Sequence, residues 1–115
     1  NCIIYGNIAN EIELGKNDEA AFNYFFDHCI IQVQDTFNTS NKDHYNNIWK
    51  GSEYNPKFVD PYEDYIFELD TLSPAKDMGN EIYSTMFPLD IKGQNRDVDS
   101  GPDLGAYERI EKTKK

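Results

Sequence analysis

The sequence predicts an all-β fold whose architecture is a right-handed parallel β-helix. Three observations lead to this class. An apolar tetrad repeats at a fixed spacing, short segments between its copies alternate apolar and polar residues, and helical periodicity is sparse. The chain has 115 residues, which limits it to a single domain with a modest core.

The repeat is the strongest of these observations. The tetrad NCII at residues 1–4 recurs as HCII at residues 28–31, which is a spacing of 27 residues. Both copies are short and rich in β-branched residues, as strands are. Segments 11–14 and 22–26 alternate with period two, so that one repeat would hold three strands, the size of one β-helix coil. An antiparallel sandwich whose strands share the triplet Cys-Ile-Ile is the alternative.

Stacked coils place equivalent residues of neighbouring strands about 4.8 Å apart. Cys2 is therefore expected to stack on Cys29, and Ile4 on Ile31. Side chains of in-register parallel neighbours lie side by side and do not face each other, which disfavours a disulfide. We predict two free, buried thiols.

The rest of the chain divides into coils and a cap. Residues 1–57 are assigned to terminal coils, with a polar surface excursion at 35–47. Residues 58–115 are assigned to a C-terminal cap of the same domain, with strands at 65–69 and 106–110. A solenoid has to cover its terminal coil, because an open strand edge pairs with other chains.

Five motifs follow one another in this C-terminal part. They are FVDP at 58–61, DY at 64–65 with Leu69, SPAKDMG at 73–79, DIKGQNR at 90–96 and DLGAYE at 103–108. In this order they resemble the C-terminal region of bacterial surface β-helix proteins of the pectate-lyase-like superfamily, a "choice-of-anchor" type of domain. Lys76 stands where that family usually has an aliphatic residue, and Asn95 where a Pro is common, so these two sites are expected to be less tightly packed.

The resemblance implies a bacterial protein that is extracellular or on the cell surface. It further implies that this segment is non-catalytic and takes part in glycan binding or cell-surface interaction. The alternative is one part of a polysaccharide lyase or glycoside hydrolase whose active site lies mainly on upstream coils. No catalytic residue is assigned within the segment.

Charge and hydropathy exclude other partners. The net charge is −10 and the only dense basic cluster is Lys112, Lys114 and Lys115, so nucleic acid is not expected. No apolar run approaches the roughly 20 residues of a membrane span. The resemblance to surface β-helix proteins implies a polysaccharide or cell-surface glycan as the partner.

Calcium is the only cofactor that the sequence brings into question. Asp97, Asp99 and Asp103 fall at positions 1, 3 and 7 of a twelve-residue frame that begins at Asp97, where they could form an irregular calcium site. Pro102 stands where an EF-hand needs Gly, which excludes that motif. The alternative is that these carboxylates accept hydrogen bonds from the local backbone. The acidic group around Asp60 is interrupted by a Pro and predicts a turn, not a catalytic pair.

Two aromatic residues, Tyr45 and Trp49, are candidates for stacking on a sugar ring. The alternative for Trp49 is packing over the flank of the solenoid. The first tetrad has the pattern of an internal coil, so we also expect an open strand edge at Cys2 through which the chain self-associates.

Overall fold

The computed structural model describes residues 1–110, which form five short strands in two sheets, a single 3₁₀ turn and one short α-helix. The mainly-β class is as predicted. The strands are β1 (Ile3–Ile4), β2 (Phe26–Ile31), β3 (Tyr45–Lys50), β4 (Phe58–Asp60) and β5 (Ile66–Leu69); the 3₁₀ turn is Ser52–Tyr54 and the helix is α1 (Glu81–Met86). Neither helix among these residues is long and apolar enough to cross a bilayer.

The first sheet is parallel, in the order β1-β2-β3. Ile3 pairs with Ile30 and Ile4 with Ile31, so the register predicted from the 27-residue repeat is confirmed. The backbone N–H of Ile30 donates to the carbonyl of Cys2 at 3.0 Å. Hydrophobic tetrads that pair in register put their whole apolar set on the buried faces, which fixes the register.

β3 was not predicted, because it begins inside the segment assigned to the polar excursion. Its residues pair in parallel with β2, with Cys29 opposite Ile48 and Ile30 opposite Trp49. Two asparagines interrupt its apolar pattern. One of them, Asn47, has φ 53°, and His28 at the equivalent position of β2 has φ 52°. Asn and His are among the residues that tolerate this left-handed region, so both strands bend at the same level.

The predicted β-helix is wrong. A solenoid needs several strands in every coil, yet no strand forms among the described residues between β1 and β2, where segments 11–14 and 22–26 were expected to supply two. Isolated backbone hydrogen bonds join this segment to the chain after β2. For example, the N–H of Glu11 donates to the carbonyl of Gln32 at 2.9 Å. The second sheet is an antiparallel β4-β5 pair. Two small, separate sheets do not make a continuous stack.

Both faces of the parallel sheet are covered, as is usual for such sheets. One face contributes Ile30 to a cluster with Leu69, Ala75 and Leu104, all at most 2% exposed. The other face holds the cluster Cys29, Ile31 and Val33. The first cluster joins residues from both halves of the chain, which therefore share a core.

Part of the C-terminal segment packs against the start of the chain and β1. Gly105 N–H donates to the carbonyl of Asn1 at 3.0 Å, and a Cβ on Gly105 would lie 2.9 Å from the side chain of Ile3. Asn80 N–H donates to the Asn1 side chain at 2.7 Å. The chain's own loops thus contact Asn1, next to the edge that was expected to be bare at Cys2. Self-association through this edge stays a prediction.

The loops that reach Asn1 are fixed by polar residues. Asn80 caps α1, accepting a hydrogen bond from Ile82 N–H, and its amide donates to the buried carboxylate of Asp27 at 2.9 Å. Burial raises the pKa of Asp27, but hydrogen bonds from His28, Asn80 and Asn46 outweigh it and lower this pKa to about 2. The helix α1 was not predicted from the sequence, because six residues are too few to show helical periodicity.

Both cysteines are free, and they occupy the predicted neighbouring positions. Cys29 is buried, as expected, whereas Cys2 is exposed. The prediction of burial is wrong for Cys2, because none of the strands in residues 1–110 lies beyond β1 in the sheet.

Candidate functional site

An aromatic groove lies between the chain that follows β1 and the β4-β5 hairpin. It has a volume of about 310 Å³ and is lined by Tyr5, Gly6, Asn7, Asn55, Lys57, Phe58, Pro61, Tyr62 and Phe67. An adjoining cavity of about 250 Å³ shares three of its aromatic rings. We call the first of these two cavities the aromatic groove.

The β4-β5 hairpin positions the rings of the groove. Phe58 pairs with Leu69 across the hairpin, and the register shifts between Phe58 and Asp60. Phe67 meets Phe58 edge-on, with ring centroids 5.4 Å apart and an interplanar angle of 81°. Edge-to-face pairs of this kind hold both rings in place. A preformed apolar floor therefore lies beside the loop that carries Tyr62.

Two of these rings are open to solvent. Tyr62 is 78% exposed and Phe67 is 43% exposed, whereas Phe58 packs on the first core cluster. An exposed aromatic patch beside a concave surface marks a binding site more often than isolated exposed residues do. The groove thus has an inner wall, Phe58, that is packed against the core, and an outer wall, Tyr62 and Phe67, that is open to solvent.

The polar rim of the groove is formed by amides and one ammonium group. Asn55 accepts a hydrogen bond from the backbone N–H of Lys57 at 2.9 Å. Lys57 has φ 52°, and its carbonyl accepts from Asp70 N–H at 2.9 Å. A non-glycine residue in this left-handed region costs about 1–3 kcal/mol and persists where its surroundings enforce it. The backbone therefore places Lys57 at a defined point on the rim.

The groove is lined by aromatic rings, amides and the ammonium group of Lys57. Among the described residues, its lining contains no carboxylate, histidine or cysteine. Aromatic faces with a few amide groups suit a ligand that has both an apolar face and hydroxyl groups.

The two aromatic residues predicted to stack on sugar lie elsewhere. Tyr45 is 4% exposed and stacks on Phe26 with an interplanar angle of 10°, and burial raises the pKa of its hydroxyl to about 12. The Tyr45 ring is thus enclosed by its neighbours. Trp49 is half-buried, packs on the first core cluster and meets His28 edge-on at 5.9 Å, in agreement with the packing alternative.

The three candidate calcium ligands have different local partners. Asp97 accepts from the hydroxyl of Ser84 at 2.9 Å, and Asp99 accepts from Gly101 N–H at 3.4 Å. Asp103 is fully buried, and its two oxygens accept from the backbone N–H groups of Asp77 and Arg109. Within residues 1–110, no three His, Cys, Asp or Glu side chains are arranged to hold a metal ion.

We expect calcium to have little effect on the folded protein, because the carboxylate of Asp103 already accepts backbone hydrogen bonds. Calcium at a hundred times its Kd would stabilise the fold by about 2.7 kcal/mol, enough to raise the melting temperature by several degrees. The measurement is a thermal melt with millimolar calcium and then with EGTA. A clear rise that EGTA reverses would contradict this expectation.

Asp103 belongs to a buried acidic network with Glu108. The Glu108 carboxylate accepts from Asp103 N–H at 2.9 Å and lies 3.6 Å from the guanidinium of Arg96. Its other oxygen, Oε1, is buried without a hydrogen-bond partner. Burial raises the pKa of Glu108 to about 8 and that of Asp103 to about 6. Burial therefore favours the protonated form of Glu108 over its carboxylate.

The Glu108 carboxyl lies inside the chain, next to a cavity. Glu108 borders a cavity of about 480 Å³ with Glu68 and Tyr107, but its side chain is 0% exposed. A catalytic acid has to come within hydrogen-bond reach of its substrate. The Glu108 carboxyl is enclosed and instead accepts a hydrogen bond from the backbone N–H of Asp103. Its role is to hold the C-terminal segment in place.

The sequence did not reveal the aromatic groove. Phe58 was assigned to a turn motif, Phe67 to a strand, and Tyr62 to no role. The dense aromatic run at 58–67 was the available signal, but whether an aromatic residue is buried or open depends on what packs over it. Comparisons of the chain with protein-family models, with curated proteins and with solved structures gave no match.

Proposed function

We propose that this chain binds carbohydrate without catalysing a reaction and that a sugar ring sits in the aromatic groove. The observation that carries the proposal is the pairing of open rings, Tyr62 and Phe67, with the amides of Asn7 and Asn55 along one rim. A pyranose ring has an apolar face formed by C–H groups and an edge formed by hydroxyl groups. The aromatic rings suit the first, and the amides suit the second.

The size of the groove supports a small glycan unit. Ligand sites in proteins occupy about 300–1,000 Å³, and a groove of about 310 Å³ is at the lower end of that range. One or two sugar rings are the expected occupants. The motifs at 58–108 resemble those of bacterial surface proteins, so an extracellular or cell-surface glycan is the proposed source.

The test is a screen of mono- and disaccharides by saturation-transfer NMR on the full chain, followed by titration of the strongest binder. We expect Tyr62→Ala to weaken binding at least tenfold, because an aromatic residue that anchors a ligand contributes more than about 1.4 kcal/mol. Tyr62 is 78% exposed, so its removal should leave the fold intact.

Phe87→Ala is the matched control. Phe87 is 66% exposed and does not line the groove, so its removal should leave the affinity unchanged. The proposal fails if no saccharide binds, or if Tyr62→Ala binds the best saccharide as tightly as the unaltered chain does.

A further inference from the structure

The two thiols lie side by side on neighbouring strands. Ile3 pairs with Ile30, which sets Cys2 next to Cys29 at the start of the ladder. Side chains alternate along a strand, so Cys2 lies on the same face of the sheet as Ile4. That is the face on which Cys29 packs in the second core cluster.

The two sulfur atoms differ in exposure, since one is buried and the other is open to solvent. Cys29 is 2% exposed, and its thiol donates to the carbonyl of Asp27 at 3.3 Å. Cys2 is open to solvent. A hydrogen bond with the Cys29 thiol lowers the pKa of Cys2 to about 6, and the same contact, together with burial, raises the pKa of Cys29. Cys2 thus offers a sulfur that is open to solvent, and Cys29 offers a second, enclosed sulfur beside it.

Parallel neighbours direct their side chains the same way, which favours an atom bridging the two sulfurs over a direct bond between them. Thiolates select soft cations, and Cu(I) is a cation that they favour. Zinc needs four ligands in a closed site, and within residues 1–110 no third side chain of a suitable type joins the pair. The donor set therefore suits a cation that accepts two ligands.

We propose that Cys2 and Cys29 together form a two-sulfur site for a soft monovalent cation, Cu(I) by chemical class. Cu(I) enters at the exposed Cys2 and is then bound by Cys29. Binding replaces both S–H protons, so that Cu⁺ and two thiols give a copper dithiolate and two protons, with no change of oxidation state. The site lies apart from the aromatic groove and does not depend on the proposed sugar binding.

The test is an anaerobic titration of the reduced full chain with Cu(I) against a chromophoric Cu(I) chelator. We expect one equivalent to bind and Cys2→Ser to bind at least about a hundredfold more weakly, because two linked donors exceed one donor by about 10²–10⁴. Cys29→Ala should show the same loss. Cys2 is exposed, so Cys2→Ser should keep the fold, which circular dichroism would verify.

A second measurement does not depend on a substitution in the core. Phenylarsine oxide reacts with two adjacent thiols to give a cyclic dithioarsenite and one water, so it should remove both thiols of the folded, unaltered chain from a thiol assay at one equivalent. The proposal is overturned if Cys2→Ser keeps the full Cu(I) affinity, if Cys29→Ala does, or if phenylarsine oxide leaves both thiols free.

Discussion

Replacing Ile30 with Ala is expected to lower the free energy of unfolding by about 2–5 kcal/mol, the range for removing a large aliphatic side chain from a core. Ile30 is 1% exposed and lies in the central strand of the parallel sheet. Its side chain meets the cluster with Leu69, Ala75 and Leu104, so the cavity left by Ala would lie where the sheet and the C-terminal segment join.

The measurement is urea unfolding followed by circular dichroism. Ile91→Ala is the control, because Ile91 is 69% exposed and surface substitutions change stability by less than about 0.5 kcal/mol. If the two variants unfolded at the same urea concentration, the sheet and the C-terminal segment would not share the core described above.

The stability of the protein is expected to fall as the pH rises from 4.5 to 8. Burial raises the pKa of Glu108 from the ordinary value of 4.5 to about 8. In this window the unfolded chain releases the proton of Glu108 while the folded chain keeps it, so each step up in pH favours the unfolded state. Asp103, with its pKa raised from 3.8 to about 6, acts in the same direction. Each unit of pKa shift corresponds to about 1.4 kcal/mol, and we expect a loss of at least that amount.

Glu108→Gln tests the assignment, because the amide has the shape of the protonated acid and cannot ionise. Its carbonyl oxygen can still accept from Asp103 N–H. We expect urea midpoints measured at pH 5, 6.5 and 8 to fall for the unaltered chain and to fall much less for the variant. Glu68→Gln is the control, because Glu68 forms an exposed ion pair with Lys92. Equal slopes for Glu108→Gln and the unaltered chain would contradict a protonated Glu108.

At low pH the stability is expected to change in the opposite direction, because it falls as the pH falls. The pKa of Asp27 is lowered from 3.8 to about 2, so its contribution is present above pH 3.8 and is lost as the pH falls towards 2. Asp27 joins β2, β3 and the Asn80 loop through hydrogen bonds. Asp27 and Glu108 together predict that the free energy of unfolding is greatest between about pH 3.8 and pH 4.5. In that interval Asp27 is charged and Glu108 is neutral in both the folded and the unfolded chain.

Local sequence patterns determined part of this structure. The repeated tetrads predicted a parallel pair with a 27-residue register, and β1 and β2 have that register. Residues 65–69 were predicted as a strand, and β5 covers Ile66–Leu69. In each case one strand position and register buries the apolar side chains of a short run, so the sequence pattern predicts that position and register.

The same patterns were misleading where the partner of a segment was not local. Segments 11–14 and 22–26 alternate like strands, but among the described residues only Phe26 from these segments joins a strand, because backbone pairing needs a neighbouring strand in reach. β3 contains two asparagines, and its first residues were predicted to belong to a loop. It is a strand because its backbone pairs with that of β2. A sheet is decided by its neighbours as much as by its own residues.

The sequence by itself therefore determined the mainly-β class, the register of the two tetrads and the neighbouring placement of Cys2 and Cys29. Only the tertiary structure decided that the C-terminal segment returns to β1, that Tyr45 is enclosed and that Tyr62 and Phe67 are open. The physical reason is that apolar residues have the same pattern whether they line a core or a groove. Burial depends on which distant segment packs over them, and the hydrogen bonds and contacts that bring Gly105 to Asn1 and Ile3 join opposite ends of the described chain.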